Sequence, residues 1–188
     1  RAGDSHGDIV FWPLLGLARL LLATEDAALL DIALPFHDGE AATVWQHAER
    51  ALAVIAARRI ADTHLAAYGH GDWNDSLQPV DAASRERLCS AWTVTLHHQV
   101  LDTLARALRR VGRDASAQSL EDEARDVLAD FQRLLVADGV VAGYAQFEPQ
   151  GPEHERRLLL HPQDSVTGVH YSLLPMMHAV INDMLSPA

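Results

Sequence analysis

The sequence predicts an all-α fold made of one mostly helical unit. Apolar residues make up 48% of the 188 residues and charged residues 22%, which is typical of a soluble globular protein with a hydrophobic core. Apolar positions recur at helical spacing along most of the chain and predict about five helices. Helix and strand patterns do not alternate, so a parallel βαβ sheet is not expected. No linker or low-complexity segment interrupts residues 1–188, which we interpret as a segment of a single domain.

Two helices are predicted in the N-terminal part. Phe11 to Ala23 is apolar and rich in helix formers, and Pro13 suits a first helical turn. Asp38 is a candidate N-cap for the second helix, which is expected to continue to about Ile60. Its apolar residues recur at helical spacing: Val44, Ala48, Ala51 and Ile55.

Two longer helices are predicted in the middle of the chain. Asp81 or Ser84 is the expected N-cap of a helix that stops at Gly112. Its periodic positions are Leu88, Trp92, Thr95, Leu101, Leu104 and Leu108. The stretch Ser119-Leu-Glu-Asp122 resembles a capping box and predicts the start of a helix that ends at Asp138-Gly139.

The pattern changes near the C-terminus. Between Val140 and Leu160, the segments GVVAGYAQF and RRLLL flank a polar link with Gly and Pro, which predicts one small β-hairpin. After a loop, Leu173 to Leu185 predicts a last helix.

Composition also restricts the function classes. The formal net charge of −11 disfavours nucleic acid or an anionic membrane as a partner, because both would be repelled. No apolar run is as long as a membrane span, and the start of the chain lacks a secretory signal, so a cytoplasmic location is expected. The single cysteine, Cys89, cannot form an intrachain disulfide. The eleven histidines lack the spacing of a metal site, so no metal is expected.

The stretch YGHGDWNDSLQP, residues 68–79, contains the most unusual group of side chains. Asp, Asn and Gly favour solvated turns, but the indole of Trp73 is costly in an exposed turn unless it packs or binds something. A calcium loop of the EF-hand type requires Gly where Leu77 stands. A carbohydrate site is the third interpretation, because indoles stack on sugar C–H faces and carboxylates and amides bind hydroxyls. Phosphate-loop and nucleophile-elbow motifs are absent from the sequence.

GDWND resembles the signature around the catalytic acid of glycoside hydrolase family 94, the inverting β-glycoside phosphorylases. GDIVFWPLLGLARLLLATEDAALLDIALPF, VADGVVAGYAQF, LLLHPQ and TGVHYSLLPM also resemble segments of this family in order, so the resemblance extends from Gly7 to Leu185. Ser76 to Pro79 departs from the commoner Gly-Met-Asn continuation and is similar to members that include β-1,2-oligoglucan phosphorylases.

The resemblance implies part of an (α/α)6 barrel, of which this chain supplies too few helices for a closed ring. It also implies that the family's phosphate-binding Thr-Gly and His segments lie beyond Ala188, and an Arg before Arg1. We therefore expect the chain to be an excerpt that does not turn over substrate alone.

The implied reaction is phosphorolysis of a β-linked gluco-oligosaccharide to α-glucose 1-phosphate. By its place in the motif, Asp75 is implied to be the general acid, and phosphate is itself the attacking anion. Trp73 is implied to stack on a sugar, and Asp72 and Asn74 to fix the loop or contact hydroxyls. Asp8 matches the segment that holds the non-reducing-end sugar, although Ile9 replaces a common second Asp. Gln163 is a weaker pocket candidate.

The partners implied are the oligosaccharide and inorganic phosphate as co-substrate, with no metal or organic cofactor, and the full-length protein is expected to form a homodimer. Two other functions stay open. An inverting hydrolase on the same barrel would need a base carboxylate that no motif supplies. A helical sugar-binding or scaffold module would keep the loop without activity.

Overall fold

A computed structural model of the chain describes residues 6–37, 39–74, 82–148 and 155–185, over which helices dominate and strands are short. The helices are α1 (Phe11–Thr24), α2 (Val44–Ala57), α3 (Ala82–Arg87), α4 (Ala91–Arg110), α5 (Asp114–Leu135) and α6 (Leu173–Ile181), with a 3₁₀ helix at Ala27–Asp31. The strands are β1 (Ala33–Pro35), β2 (Ala41–Thr43), β3 (Leu88–Ser90), β4 (Val136–Ala137), β5 (Val140–Val141), β6 (Tyr144–Phe147) and β7 (Arg156–Leu159). None of the described helices is both long and apolar enough to cross a membrane.

Helix α4 is the centre of the hydrophobic core. It packs against α1, α5 and α6. Val100, Leu101 and Leu104 of α4 are completely buried, as is Leu21 on the facing side of α1 and Phe131 on α5. Burying a side chain of this size contributes about 1.5–3 kcal/mol, so this packing fixes α4 firmly. The first turn of α4 therefore offers a rigid support for whatever lies against it.

The N-terminal helices agree with the prediction except at the ends of α2. The predicted first helix is confirmed as α1, and Asp38 lies outside the described residues. The N-cap of α2 is Thr43, whose hydroxyl accepts from the backbone N–H of Gln46 at 3.1 Å, while Gln46 Oε1 accepts from the N–H of Thr43 at 2.8 Å. This capping box satisfies two free N–H groups, and the helix ends at Ala57 rather than near Ile60.

The single long helix predicted to end at Gly112 is wrong. Asp81 lies outside the described residues, and Ser84 lies inside the short helix α3. Strand β3 then separates α3 from α4, and all of its residues are buried and paired with β6. Leu88 and Trp92 are four positions apart, which is also the spacing of residues on one helix face. The backbone of β3 instead forms hydrogen bonds with a neighbouring strand, and the local sequence does not predict that pairing.

The capping box predicted at Ser119–Asp122 is also wrong, because α5 already begins at Asp114. Ala117 is completely buried, so the core-facing stripe of the helix starts before Ser119, which is exposed. Helix α5 ends at Leu135 and leads into the β4–β5 hairpin, whose turn is formed by Asp138 and Gly139.

The hairpin predicted between Val140 and Leu160 is confirmed as the antiparallel pair β6–β7. The prediction missed a third strand. Strand β3 pairs with the other edge of β6, so the sheet has the order β3-β6-β7. The last helix ends at Ile181 rather than Leu185. The all-α prediction with one small hairpin is thus correct for the dominant elements, but it omits β3 and the β1–β2 and β4–β5 pairs. The (α/α)6 barrel stays a prediction.

Backbone hydrogen bonds tie the N-terminal segment to the segment that follows Ala67. The N–H of Gly7 donates to the carbonyl of Gly71 at 2.7 Å, and the N–H of Tyr68 donates to the carbonyl of Leu88 at 2.7 Å. Residues 7–8, residues 68–74 and strand β3 therefore meet at the first turn of α4. This junction brings together chain segments that are far apart in sequence.

Gly7→Ala should destabilise this junction. A Cβ at position 7 would lie 2.6 Å from the carbonyl oxygen of Tyr68, a backbone atom that itself belongs to the hydrogen-bonded segment. We expect a loss of about 1–3 kcal/mol in the free energy of unfolding, measured by denaturant titration. Gly16→Ala is the matched control: a Cβ there meets nothing within 4 Å, and a gain of about 0.5–1 kcal/mol is expected in a helix. Equal stabilities for Gly7→Ala and the wild type would contradict the close approach.

His97, on α4, is a completely buried histidine in the core. Its ring lies 5.1 Å from the ring of Phe11, and its Nε2 lies 3.5 Å from Oε1 of Glu123, which also pairs with Arg59. Burial lowers the pKa of His97 below its ordinary value of 6.5, and Glu123 opposes that shift only in part. The core therefore contains a neutral imidazole at neutral pH.

The stability of the chain should decrease on acidification for this reason. Below pH 6.5 the unfolded chain binds a proton at His97 before the folded chain does, so the stability is complete above that pH and falls as the pH drops toward the folded pKa. In His97→Gln, the free energy of unfolding should fall less steeply as the pH is lowered. The slopes of the two proteins should differ by at most about 1.4 kcal/mol per pH unit. His98 and His178, whose pKa values burial also lowers, are present in both proteins and contribute to the pH dependence of each. Parallel curves from denaturant titrations at several pH values would contradict the assignment.

Candidate functional site

Asp72 of the GDWND motif is completely buried. Its Oδ1 accepts a hydrogen bond from the backbone N–H of Asn74 at 2.9 Å, and its Oδ2 accepts one from the hydroxyl of Thr93 at 3.0 Å. The pKa of Asp72 is raised above its ordinary value, mainly because the carboxyl group is buried. The Ser90 and Thr93 hydroxyls and the Asn74 backbone amide oppose part of this increase. The charge of Asp8 adds to the increase. Asp72 therefore anchors the loop to the start of α4.

Asp8 holds the same loop at the next residue and is 3% exposed. One of its oxygens, Oδ2, accepts from the backbone N–H of Trp73 at 3.1 Å and from the indole N–H of Trp12 at 3.2 Å. Hydrogen bonds to a carboxylate are stronger than those between neutral groups. The backbone of the motif is thus held at successive residues by two buried carboxylates from distant parts of the sequence.

Trp73 is the exposed member of the group, with 64% of its surface accessible. Its ring centroid lies 5.7 Å from that of Trp92 on α4, at an interplanar angle of 43°. Trp12 on α1 is also partly exposed, at 42%. Two indoles beside buried carboxylates provide apolar faces and hydrogen-bond acceptors of the kind that a sugar ring requires.

The structure brings four of the six predicted site residues together: Asp8, Asp72, Trp73 and Asn74. Asp75, the predicted general acid, lies outside the described residues. Gln163 belongs to another part of the structure, since its side-chain amide donates to Oδ2 of Asp138 at 2.8 Å and its backbone N–H to Nδ1 of His161 at 3.1 Å.

Sequence reasoning did not assign a site role to Thr93, Trp12 or Trp92. Thr93 and Trp92 lie in the first turn of α4, immediately after the strand that was predicted to be helix. A correct assignment of β3 would have placed these residues at a helix start and suggested that they face a loop. Trp12 carried a signal, because an aromatic residue four positions after an acidic one on a helix can reach back to it.

Across the described residues, no group of three or more His, Cys, Asp or Glu side chains has the arrangement of a metal site.

The chain matches a known family over most of its length. The model of the glycosyl hydrolase 94 superfamily catalytic domain matches residues 2–149, which include the GDWND motif and the segments around Asp8 and Thr93. The chain belongs to this family. The resemblance stated from the GDWND motif is therefore confirmed.

The chain is also similar to a 1,2-beta-oligoglucan phosphorylase of Listeria innocua, with 35% identity over 191 aligned residues. The alignment covers 97% of this chain and 17% of that protein, so the chain spans about one sixth of its relative's length. The family 94 match ends at residue 149, whereas this similarity continues through the region that contains Gln163 and α6.

Thr93→Val should loosen the family 94 motif. The substitution keeps the side-chain shape and removes the hydroxyl that donates to Asp72, leaving a buried carboxylate oxygen without that donor. We expect a cost of about 1–3 kcal/mol in the free energy of unfolding. Thr24→Val removes an exposed hydroxyl bond at the end of α1 and should change stability by less than about 0.5 kcal/mol. Similar small effects in both variants, measured by denaturant titration, would show that Asp72 does not depend on Thr93.

Proposed function

We propose that the full-length protein catalyses inverting phosphorolysis of a β-linked gluco-oligosaccharide and releases α-glucose 1-phosphate. Membership of the glycosyl hydrolase 94 superfamily supports this proposal. The similarity to a 1,2-beta-oligoglucan phosphorylase supports an oligoglucan as the substrate. The observation that carries most weight is the GDWND segment, whose backbone is held by Asp8 and Asp72 beside an exposed indole.

In the proposed reaction, one proton and one nucleophile are needed. Asp75 donates its proton to the glycosidic oxygen as the bond between that oxygen and the anomeric carbon breaks. A phosphate oxygen attacks the anomeric carbon from the opposite face and inverts its configuration. The products are α-glucose 1-phosphate and the shortened oligosaccharide. Asp75 regains its proton from phosphate or solvent before the next turnover. Phosphate is the co-substrate, and no other cofactor is part of the proposal.

The described residues contribute to this reaction by fixing the segment that precedes Asp75. The Trp73 backbone is held by Asp8, and the Asn74 backbone is held by Asp72. A misplacement of about 1 Å at a catalytic group costs on the order of 10²-fold in rate, so anchoring this segment has direct catalytic value. Asp72 acts in this proposal as an anchor of the loop, because it has no surface through which to contact a sugar.

Sugar binding is assigned to residues that are exposed or partly exposed, together with Asp8, of which 3% is exposed. The exposed indole of Trp73 would stack on a glucosyl ring. Asp8 would contact a hydroxyl through Oδ1, since Oδ2 already accepts two hydrogen bonds. Asn74, which is partly exposed, would present its side-chain amide. Gln163 lies in another part of the structure and would contribute a more distant contact through its side-chain carbonyl oxygen, because its amide donates to Asp138. A cytoplasmic location and a homodimer remain part of the proposal.

Asp75→Asn should remove the proton donor from the full-length protein. We expect turnover of β-linked gluco-oligosaccharides to fall by about 10²-fold or more, and turnover of glucosides with activated leaving groups to fall much less, because they need little protonation. Asp102→Asn, at an exposed residue of α4, is the matched control and should leave turnover unchanged.

The assay measures glucose 1-phosphate formed with and without inorganic phosphate. Sugar release that does not depend on phosphate would identify a hydrolase. Binding without turnover would identify a sugar-binding module. Equal losses of Asp75→Asn on natural and activated substrates would show that Asp75 is not the acid.

A further inference from the structure

Three aromatic rings form a continuous stack that joins the GDWND loop to the last helix. The centroids of Trp73 and Trp92 are 5.7 Å apart, and those of Trp92 and His178 are 4.7 Å apart. The interplanar angles are 43° and 49°, between the offset-stacked and edge-to-face arrangements, and both centroid distances fall in the range of interacting aromatic pairs. His178 lies on α6, outside the residues that match the family model.

His178 is held in place by a hydrogen-bond relay on α4. The hydroxyl of Thr95 donates its hydrogen to the carbonyl of Trp92 at 2.9 Å, so it can only accept from a further group. Nδ1 of His178 lies 2.8 Å from that hydroxyl and therefore carries the hydrogen that it donates. This bond fixes the plane of the imidazole against Trp92.

Trp92 is the middle ring and is 8% exposed. Its indole N–H is buried and has no hydrogen-bond partner among the described residues. A buried N–H without a partner costs free energy. Within the described residues, the favourable contribution of Trp92 therefore comes from its ring contacts and not from its indole N–H. The Trp92 ring contacts both the Trp73 ring and the His178 ring.

The last ring, Trp73, is largely exposed and lies on a loop. An exposed indole without a neighbour would sample several rotamers, and a ligand that stacks on it would have to order it at the moment of binding. Contact with a fixed ring removes part of that ordering cost beforehand. Trp92 and His178 can therefore raise the affinity for a ligand that stacks on Trp73 without touching that ligand themselves.

We propose that His178 and Trp92 are positioning residues that hold the Trp73 indole ready to stack on the glucosyl ring. This inference rests on the proposed function only through the role of Trp73 as a sugar contact. It adds that α6, through His178, contributes to substrate affinity without touching the substrate. Because the stacking contact is present in both the ground state and the transition state, the effect falls on KM rather than on kcat.

The test is a double-mutant cycle in the full-length protein with a short β-1,2-linked gluco-oligosaccharide. Its affinity is measured by calorimetry without phosphate, and KM and kcat are measured with phosphate. His178→Ala should weaken binding and raise KM by about threefold to tenfold, with kcat changed by less than about twofold. In a Trp73→Ala background, His178→Ala should have no further effect. Met177→Ala, at an exposed neighbour on α6, is the control and should match the wild type.

Thr95→Val is a second test, because it removes the hydrogen bond to His178 while all three aromatic side chains are still present. It should weaken binding by about twofold to threefold, again only when Trp73 is present. This variant decides the matter if His178→Ala does not fold.

The outcomes separate the two proposals. If Trp73→Ala weakens binding but His178→Ala and Thr95→Val do not, the positioning role is overturned and the proposed function stands. If His178→Ala weakens binding equally with and without Trp73, its role is structural and the inference is overturned. If Trp73→Ala leaves affinity unchanged, both the inference and the sugar contact of Trp73 are wrong, while phosphate-dependent formation of glucose 1-phosphate still tests the reaction.

Discussion

The burial of the Asp72 carboxylate against the first turn of α4 is the constraint on which the rest of the site depends. A carboxylate with no exposed surface is unfavourable unless donors surround it, and here the donors come from Thr93 and from the loop's own Asn74. The loop cannot leave α4 without breaking the hydrogen bond from Thr93 to Asp72. Helix α4 is fixed by its packing on α1, α5 and α6. The part of the GDWND segment that bonds to α4 is therefore held in a defined position.

The second anchor, Asp8, also holds the loop by accepting from its backbone, and its position depends on the backbone geometry of residues 7 and 8. Residues 7 and 8 approach the loop closely enough for the N–H of Gly7 to bond the carbonyl of Gly71. That approach places Oδ2 of Asp8 within reach of the Trp73 N–H. The close approach of Gly7 to Gly71 thus determines where Asp8 can hold a loop that is more than sixty residues away in sequence.

Helical periodicity predicted α1 and the core-facing residues of α4 and α5, because these faces repeat within a few turns and need no knowledge of distant partners. It failed at Leu88–Ser90, where the state of the backbone depends on pairing with β6. The same limit applies to the site. The GDWND motif indicated Asp72, Trp73 and Asn74 from local composition, whereas the bond between Thr93 and Asp72 and the stack that reaches His178 arise only after folding brings the elements together.

The division between buried anchors and exposed indoles has an evolutionary consequence. Substitutions at Asp8, Asp72 or Thr93 would alter folding and activity together, so selection on either property restricts them. The outward surfaces of Trp12 and Trp73 bear little of the folding energy and are free to change with the ligand. Under the proposed function, substitutions at the exposed indoles would change which sugar linkage is bound, while the buried anchors keep the loop in place.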